Sequence, residues 1–244
     1  MTGKLSPEEI EAKKRDFDEN YKRVLYNISE AAVKSGRSAG DIRLLAATKT
    51  VDVAVINHAI GSGIKLIGEN RVQEYLSKKE ELLSCEFHFI GRLQTNKVKY
   101  LIGNAAMIQS VDSVRLAQEI GRLSVKSGLC TDILLEVNIG KEESKAGFMP
   151  EEIPEKAHEI SEIAGIRLRG IMAIPPVSED GGESNREYFR KINKLFVDMQ
   201  AQKLDNSNID TMSVGMSDDY AEAIMEGSNM VRIGSALFGK RIYF

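Results

Sequence analysis

Lys49 closes the run Arg43-Leu44-Leu45-Ala46-Ala47-Thr48-Lys49, in which an apolar stretch delivers a single amine. A stretch of this kind reads as a buried strand. An amine at its exit is expected to be largely desolvated. Desolvation disfavours the ammonium form and leaves an uncharged amine able to attack a carbonyl. Far away in sequence stand two short Gly/Ser turns, Ser213-Val214-Gly215-Met216-Ser217 and Arg232-Ile233-Gly234-Ser235. Main-chain N–H groups and hydroxyls in such turns suit a phosphate. An amine and a phosphate cup together point to a phosphorylated aldehyde. Each feature also has a plainer reading. A strand-end lysine can be a snorkelling surface residue, and a Gly/Ser turn can be no more than a turn.

The elements that must position these groups follow from periodicity. Residues 7–35 read as one long helix. Ser6-Pro7-Glu8-Glu9 is a capping box with proline at the first helical position, and Tyr21, Val24, Leu25, Ile28, Ala31 and Ala32 make one apolar face. Strands are then expected at 43–48, 64–67, 86–90, 106–110, 132–138, 167–173, 210–214 and 229–233. Helices are expected at 52–60, 70–83, 95–102, 113–127, 151–163, 185–203 and 218–226. Gly61, Gly63, Gly103, Gly128, Gly165 and Gly227 sit where helices should stop. Eight strands, each followed by a helical segment, are the count of an α/β fold of the (β/α)8 TIM barrel type with an extra N-terminal helix. A doubly wound open sheet has the same alternation. The polar loop 176–184 is expected to be mobile.

In such barrels the working residues lie at the C-terminal ends of strands. Those ends are Lys49, Glu69-Asn70, Gly91-Arg92, Ser110, Asn138, Met172-Ala173, 213–217 and 232–235. The amine is then on the first strand and the two turns on the seventh and eighth. The first and eighth strands are neighbours in a closed barrel, so the amine and the cup would face one another.

Composition narrows the class. The 244 residues are 42% hydrophobic and 28% charged, enough for one large core, and 1–244 is read as a single barrel domain. A net charge of −3 gives no electrostatic footprint for nucleic acid. The first fifteen residues are charged and lack an apolar segment, and no stretch is apolar for long enough to span a bilayer. Two cysteines, Cys85 and Cys130, make no disulfide framework. A cytoplasmic location is expected, where the sequon at Asn27 would be silent. His58, His88 and His158 are scattered and suggest no metal site.

Seven blocks, in order over nearly the whole chain, carry a resemblance. They are Ala46-Ala47-Thr48-Lys49-Thr50, Gly68-Glu69-Asn70-Arg71-Val72-Gln73-Glu74, His88-Phe89-Ile90-Gly91-Arg92-Leu93-Gln94-Thr95-Asn96-Lys97, Val137-Asn138-Ile139 with Glu142-Glu143-Ser144-Lys145-Ala146-Gly147, Gly170-Ile171-Met172-Ala173-Ile174-Pro175, Met212-Ser213-Val214-Gly215-Met216-Ser217-Asp218-Asp219, and Val231-Arg232-Ile233-Gly234-Ser235-Ala236-Leu237-Phe238-Gly239. The chain thereby resembles the pyridoxal phosphate homeostasis proteins, the YggS/PROSC family. The resemblance implies a fold-type III barrel, like the N-terminal domain of alanine racemase, holding pyridoxal 5′-phosphate (PLP) as a Schiff base. Lys49 resembles the Schiff-base lysine. Ser213, Ser217, Gly234 and Ser235 match the phosphate-binding turns, and Arg232 the arginine facing the pyridine nitrogen. Asn70 matches a residue close to the cofactor, and Met172 and Asn138 would line the pocket. Arg92 and Thr95 fall where the family varies, and Ser235 is often threonine there.

An arginine at the pyridine nitrogen stays charged and does not protonate it. The cofactor is then a weaker electron sink, which suits racemase-like proton chemistry or simple holding. A buried structural partner is the plainer reading of Arg232. Two functions compete: a carrier that holds PLP and passes it to apo-enzymes, and a PLP-dependent amino-acid racemase. Racemisation needs acid/base groups on both faces of the α-carbon. In alanine racemase the second group is a tyrosine from a C-terminal domain of the partner subunit. This sequence ends just after the eighth strand, and none of its tyrosines falls at a strand exit, so the carrier is favoured and a monomer expected. A class I aldolase-like barrel using Lys49 on a sugar phosphate is a third reading. Among lesser candidates, Asp218-Asp219 suit a helix start, and His88 packs between phenylalanines. Gln94-Thr95-Asn96-Lys97 could start a helix, with Lys97 on a solvated face or on a ligand. Lys141 and Lys145 lie on a charged rim loop that could accept a transferred aldehyde.

Overall fold

The structure is a computed structural model that describes residues 5–176 and 185–239. Eight parallel strands, β1 (Arg43–Ala47), β2 (Leu66–Glu69), β3 (Glu86–Phe89), β4 (Met107–Val111), β5 (Thr131–Val137), β6 (Ile166–Ala173), β7 (Ser207–Ser213) and β8 (Met230–Ile233), close in sequence order. β8 pairs back onto β1, with Ala46 opposite Ile233. Closure removes the open-sheet alternative. Most of loop 176–184, from 177 onward, lies outside the described residues, as does Tyr243.

Helix α1 (Pro7–Lys34) begins as its sequence dictates. Ser6 Oγ accepts the Glu9 N–H at 3.2 Å, and the Glu9 carboxylate accepts the Ser6 N–H at 2.7 Å. Its face of Phe17, Val24, Ile28, Ala31 and Ala32 is buried. Phe17 stacks on Phe238, ring centroids 5.5 Å apart. That contact matters because α8 (Ser235–Phe238) is one turn long. The added N-terminal helix packs against α8, α7 (Tyr220–Met225) and α2 (Val53–Gly61), covering the seam where β8 meets β1. The remaining helices are α3 (Val72–Lys78), α4 (Val114–Lys126), α5 (Ile153–Ser161) and α6 (Arg186–Gln200).

Several elements differ from expectation: the helix expected at 70–83 runs only Val72–Lys78, the one at 185–203 ends at Gln200, and three more differ for visible reasons. β2 starts two residues late, because Gly63 (φ +117°) turns the chain and pairing with β3 begins only at Leu66 opposite Glu86. β7 starts three residues early. Its first residues are polar and read as loop, yet Asn206 (φ +38°) turns the chain so that Ser207 pairs with Leu168. The helix expected at 95–102 is a 3-10 segment, Thr95–Tyr100, with no side-chain cap at Gln94.

The barrel interior holds apolar layers, Leu45, Leu66, Ile90 and Met230 in one and Met107, Leu134 and Met172 in another. It also holds buried polar side chains, among them His88, Gln109, Ser213 and Arg232.

Candidate functional site

Lys49 stands in the turn two residues past the end of β1 and is half-buried. It is less desolvated than a strand-exit position implies, because the strand ends at Ala47. Both flanks of the turn are fastened. The Thr48 hydroxyl donates to Glu69 Oε1 at 2.8 Å, and the Thr48 carbonyl accepts from Lys78 Nζ at 3.0 Å. The Thr50 N–H donates to the Glu74 carboxylate, and Thr50 is held at φ +64°. Lys78 also reaches Glu69 at 2.8 Å and Glu74 at 2.7 Å. Burial pushes the Glu69 carboxyl up, against the pull of the Lys78 charge. This clamp went unseen in the sequence. Glu74 and Lys78 are spaced i,i+4, the one signal that could have revealed it.

The β8 exit lies beside that turn. A Cβ at Gly234 would come within 3.4 Å of the Ala47 carbonyl oxygen. Ser217 Oγ accepts the N–H groups of Gly234 at 3.2 Å and Ala236 at 3.1 Å, which ties the β7 turn to the β8 turn. Among the described residues no acceptor takes its own proton. Ser235 is exposed as the first residue of α8. The β7 turn needs glycine: Gly215 has φ +99°, and a Cβ there would lie 2.7 Å from that of Ala223. Asp219 does more than face a helix start. Its carboxylate accepts the Met216 N–H at 2.7 Å and the Asn185 amide at 3.1 Å, holding the turn closed.

Ser213 stands apart from the cup. It is fully buried, its hydroxyl donates to Gln109 Oε1 at 2.6 Å, and it accepts from Arg232 Nη1 at 2.9 Å. Ser213 therefore positions Arg232. The guanidinium also donates to the Ser213 carbonyl at 2.6 Å and the Ala173 carbonyl at 3.0 Å. Burial lowers the Arg232 pKa to about 10, opposed by the charges of Asp219 and Glu136, so it stays charged at neutral pH. Glu136, on β5, is itself raised to about 6, by burial and by Asp112, against the pull of Arg232 and Arg92.

Asn138 does not offer its amide to the mouth. The side chain bonds the main chain of Glu142 and Lys145 and so shapes the rim loop. Lys145 Nζ pairs with Glu142 at 2.5 Å and reaches the Pro175 carbonyl at 3.4 Å, whereas Lys141 pairs with Glu151 on the surface. Met172 packs in the barrel interior. Asn70, past β2, is half-buried, with a buried Oδ1 that has no partner among the described residues.

The donor set fits a molecule carrying a carbonyl, an aromatic nitrogen and a phosphate. It offers an amine on a fixed turn, a hydroxyl that organises N–H groups beside it, a buried guanidinium, and an amide oxygen lacking a donor.

The sequence profile of the alanine racemase N-terminal domain family matches residues 20–241. A pyridoxal phosphate homeostasis protein of Aquifex aeolicus is 44% identical over 227 residues, covering 92% of this chain and 98% of the relative. A crystal structure of a protein from Bifidobacterium adolescentis superposes with a TM-score of 0.89 at 36% identity, covering 96% of this chain and 98% of the other. PipY of Synechococcus elongatus, solved with PLP bound, superposes with a TM-score of 0.74 at 29% identity, covering 87% of this chain and 100% of PipY.

Proposed function

The chain belongs to the alanine racemase N-terminal domain family and, within it, to the pyridoxal phosphate homeostasis proteins, and on that premise we propose that it binds PLP through Lys49 and serves vitamin B6 homeostasis. The observation that carries this reading is the pairing of β8 with β1, which sets the Gly234 turn beside the Lys49 turn. Lys49 Nζ is the amine for the aldehyde carbon. Ser217 and Ser235 receive the phosphate through hydroxyl and N–H donors, and Gly234, its N–H held by Ser217, shapes the turn between them. Arg232 faces the pyridine nitrogen, with Ser213 behind it, and Asn70 and Met172 border the ring. Asn138 acts on the pocket through the rim loop. Bound PLP supplies a reactive aldehyde on an electron-withdrawing ring. Arg232 donates to that ring's nitrogen without protonating it.

We place this activity in the cytoplasm, in a monomer formed by one barrel domain over residues 1–244, with apo-enzymes as recipients of PLP. Among the described residues no helix is long and apolar enough to cross a membrane. A transfer assay tests the carrier reading. PLP-loaded protein mixed with an apo-aminotransferase should restore activity faster than PLP leaves the protein in a trap without acceptor. Equal rates contradict direct transfer. Sustained amino-acid racemisation lost in Lys49→Ala overturns the carrier in favour of a racemase.

A further inference from the structure

A cleft of about 490 Å³ opens over the C-terminal ends of β2 and β3, bordered by Arg71, Arg92 and Lys97. Its floor is apolar, built from Val72, Phe89 and Leu93, and no acidic residue lines it. Among the described residues none of these three cations forms a contact ion pair, although Arg92 is close enough to pull on the Glu136 carboxyl, in a chain whose net charge is −3. Lys97 instead lies 5.9 Å from the Tyr100 ring. The buried, unpartnered Oδ1 of Asn70 is in the same wall. The two exits are pressed together here, since a Cβ at Gly91 would fall 2.1 Å from the Asn70 carbonyl oxygen. The walls are therefore fixed relative to one another.

Cations that converge on a concave site without ion-pair partners call for an anion, and a guanidinium fork matches a carboxylate or phosphate in two-point contact. Arg71 precedes α3 and Arg92 follows β3, so the two forks come from separate elements. The volume is that of a small-molecule site. We propose that this cleft binds a small organic dianion, carrying two carboxylates or a phosphate monoester, with its acidic groups on Arg71, Arg92 and Lys97 and its carbon skeleton on Val72, Phe89 and Leu93. The site shares the Asn70 wall with the proposed PLP pocket but uses no residue of the Ser217–Gly234 cup, and it goes beyond the PLP reading.

Calorimetric titration with succinate, glycerol 3-phosphate and uncharged succinamide tests it, on protein saturated with PLP and on protein without it. Saturable binding of at least one dianion is expected, with none of succinamide, and the stronger of the two identifies the acidic group. Arg71→Gln, Arg92→Gln and Lys97→Gln should each weaken it about tenfold or more, with melting temperatures near the parent because these side chains reach solvent. Ser217→Ala should leave it unchanged. Three results would overturn the proposal: no saturable binding at millimolar probe, affinity unchanged in all three variants, or binding abolished by PLP. Heat seen with polyglutamate but with neither small dianion would also overturn it, assigning the cleft to an acidic polypeptide. None of these results depends on whether Lys49 holds PLP, since the titrations read the cleft in both forms.

Discussion

Arg232 donates twice to Ser213, to its carbonyl oxygen at 2.6 Å and to its hydroxyl at 2.9 Å. The hydroxyl donates in turn to Gln109 at 2.6 Å, and the Gln109 amide donates to His88 Nδ1 at 2.8 Å. His88 Nε2 then carries the hydrogen and donates to Glu86 at 2.9 Å. Burial keeps the His88 pKa low, against the pull of Glu86, in keeping with a neutral ring. A polar chain thus crosses the barrel from Arg232 at the mouth to Glu86, where β3 begins. Gln109→Leu leaves the Ser213 hydroxyl proton without its acceptor and His88 Nδ1 without its donor, while Arg232 still donates to Ser213, and unfolding free energy should drop by about 1–3 kcal/mol. PLP affinity should fall with it through Arg232. Denaturant melts and PLP titration read both, and an unchanged affinity in a destabilised variant would limit Gln109 to a structural part.

Lys78→Met removes the centre of the clamp around Lys49. Glu69 is then a buried carboxylate without its cation, and stability at neutral pH should fall by about 3–5 kcal/mol. The loss should shrink as pH drops and Glu69 takes up a proton. A loss of the same size at pH 4 and pH 8 would show that the Glu69 charge is not its source.

The Glu136 carboxyl has a sign that can be checked. Its pKa is raised from 4.5 to about 6, so folding favours its neutral form. The stability it brings is present below 4.5 and is lost as pH rises through 6, an effect of about 2 kcal/mol. Glu86 acts oppositely: His88 and Arg43 hold it at about 2, so its contribution is present above 4.5 and lost as pH falls towards 2. Glu136→Gln should match the parent more closely near pH 4 and gain on it above pH 6. Parallel stability curves across that range would contradict this account.

Ser217→Ala removes the acceptor that joins the Gly234 and Ala236 N–H groups and, on the proposed reading, a donor for the phosphate. PLP affinity should fall about tenfold, the worth of one or two hydrogen bonds. Pyridoxal, which lacks the phosphate, should bind the variant and the parent alike. An equal loss for both ligands would move the phosphate away from Ser217.

Much of this was legible in the sequence, for identifiable reasons. Parallel strands buried on both faces give apolar runs, and positive-φ glycines such as Gly103 and Gly128 mark helix ends, so eight strands could be counted. Strand order alone then puts Lys49 next to Gly234, because the first and last strands of a closed barrel are neighbours. Side-chain commitments were not legible. Ser213 and Asn138 lie in motif blocks, but whether a hydroxyl or amide faces a ligand or the protein depends on partners such as Gln109 and Glu142, which sequence spacing does not reveal. The clamp of Glu69 and Lys78 joins a strand to the end of the following helix, and the cations of the cleft come from segments on either side of β3.

The central claim is that Lys49 is the residue that takes PLP. Protein loaded with PLP, reduced with borohydride, digested and mapped by mass spectrometry tests it most directly. The account predicts a yellow protein whose visible band disappears on reduction, with the pyridoxyl group recovered on the peptide containing Lys49 and absent from Lys49→Ala. A colourless protein that takes up no PLP, or a label that persists in Lys49→Ala on another lysine, would contradict it.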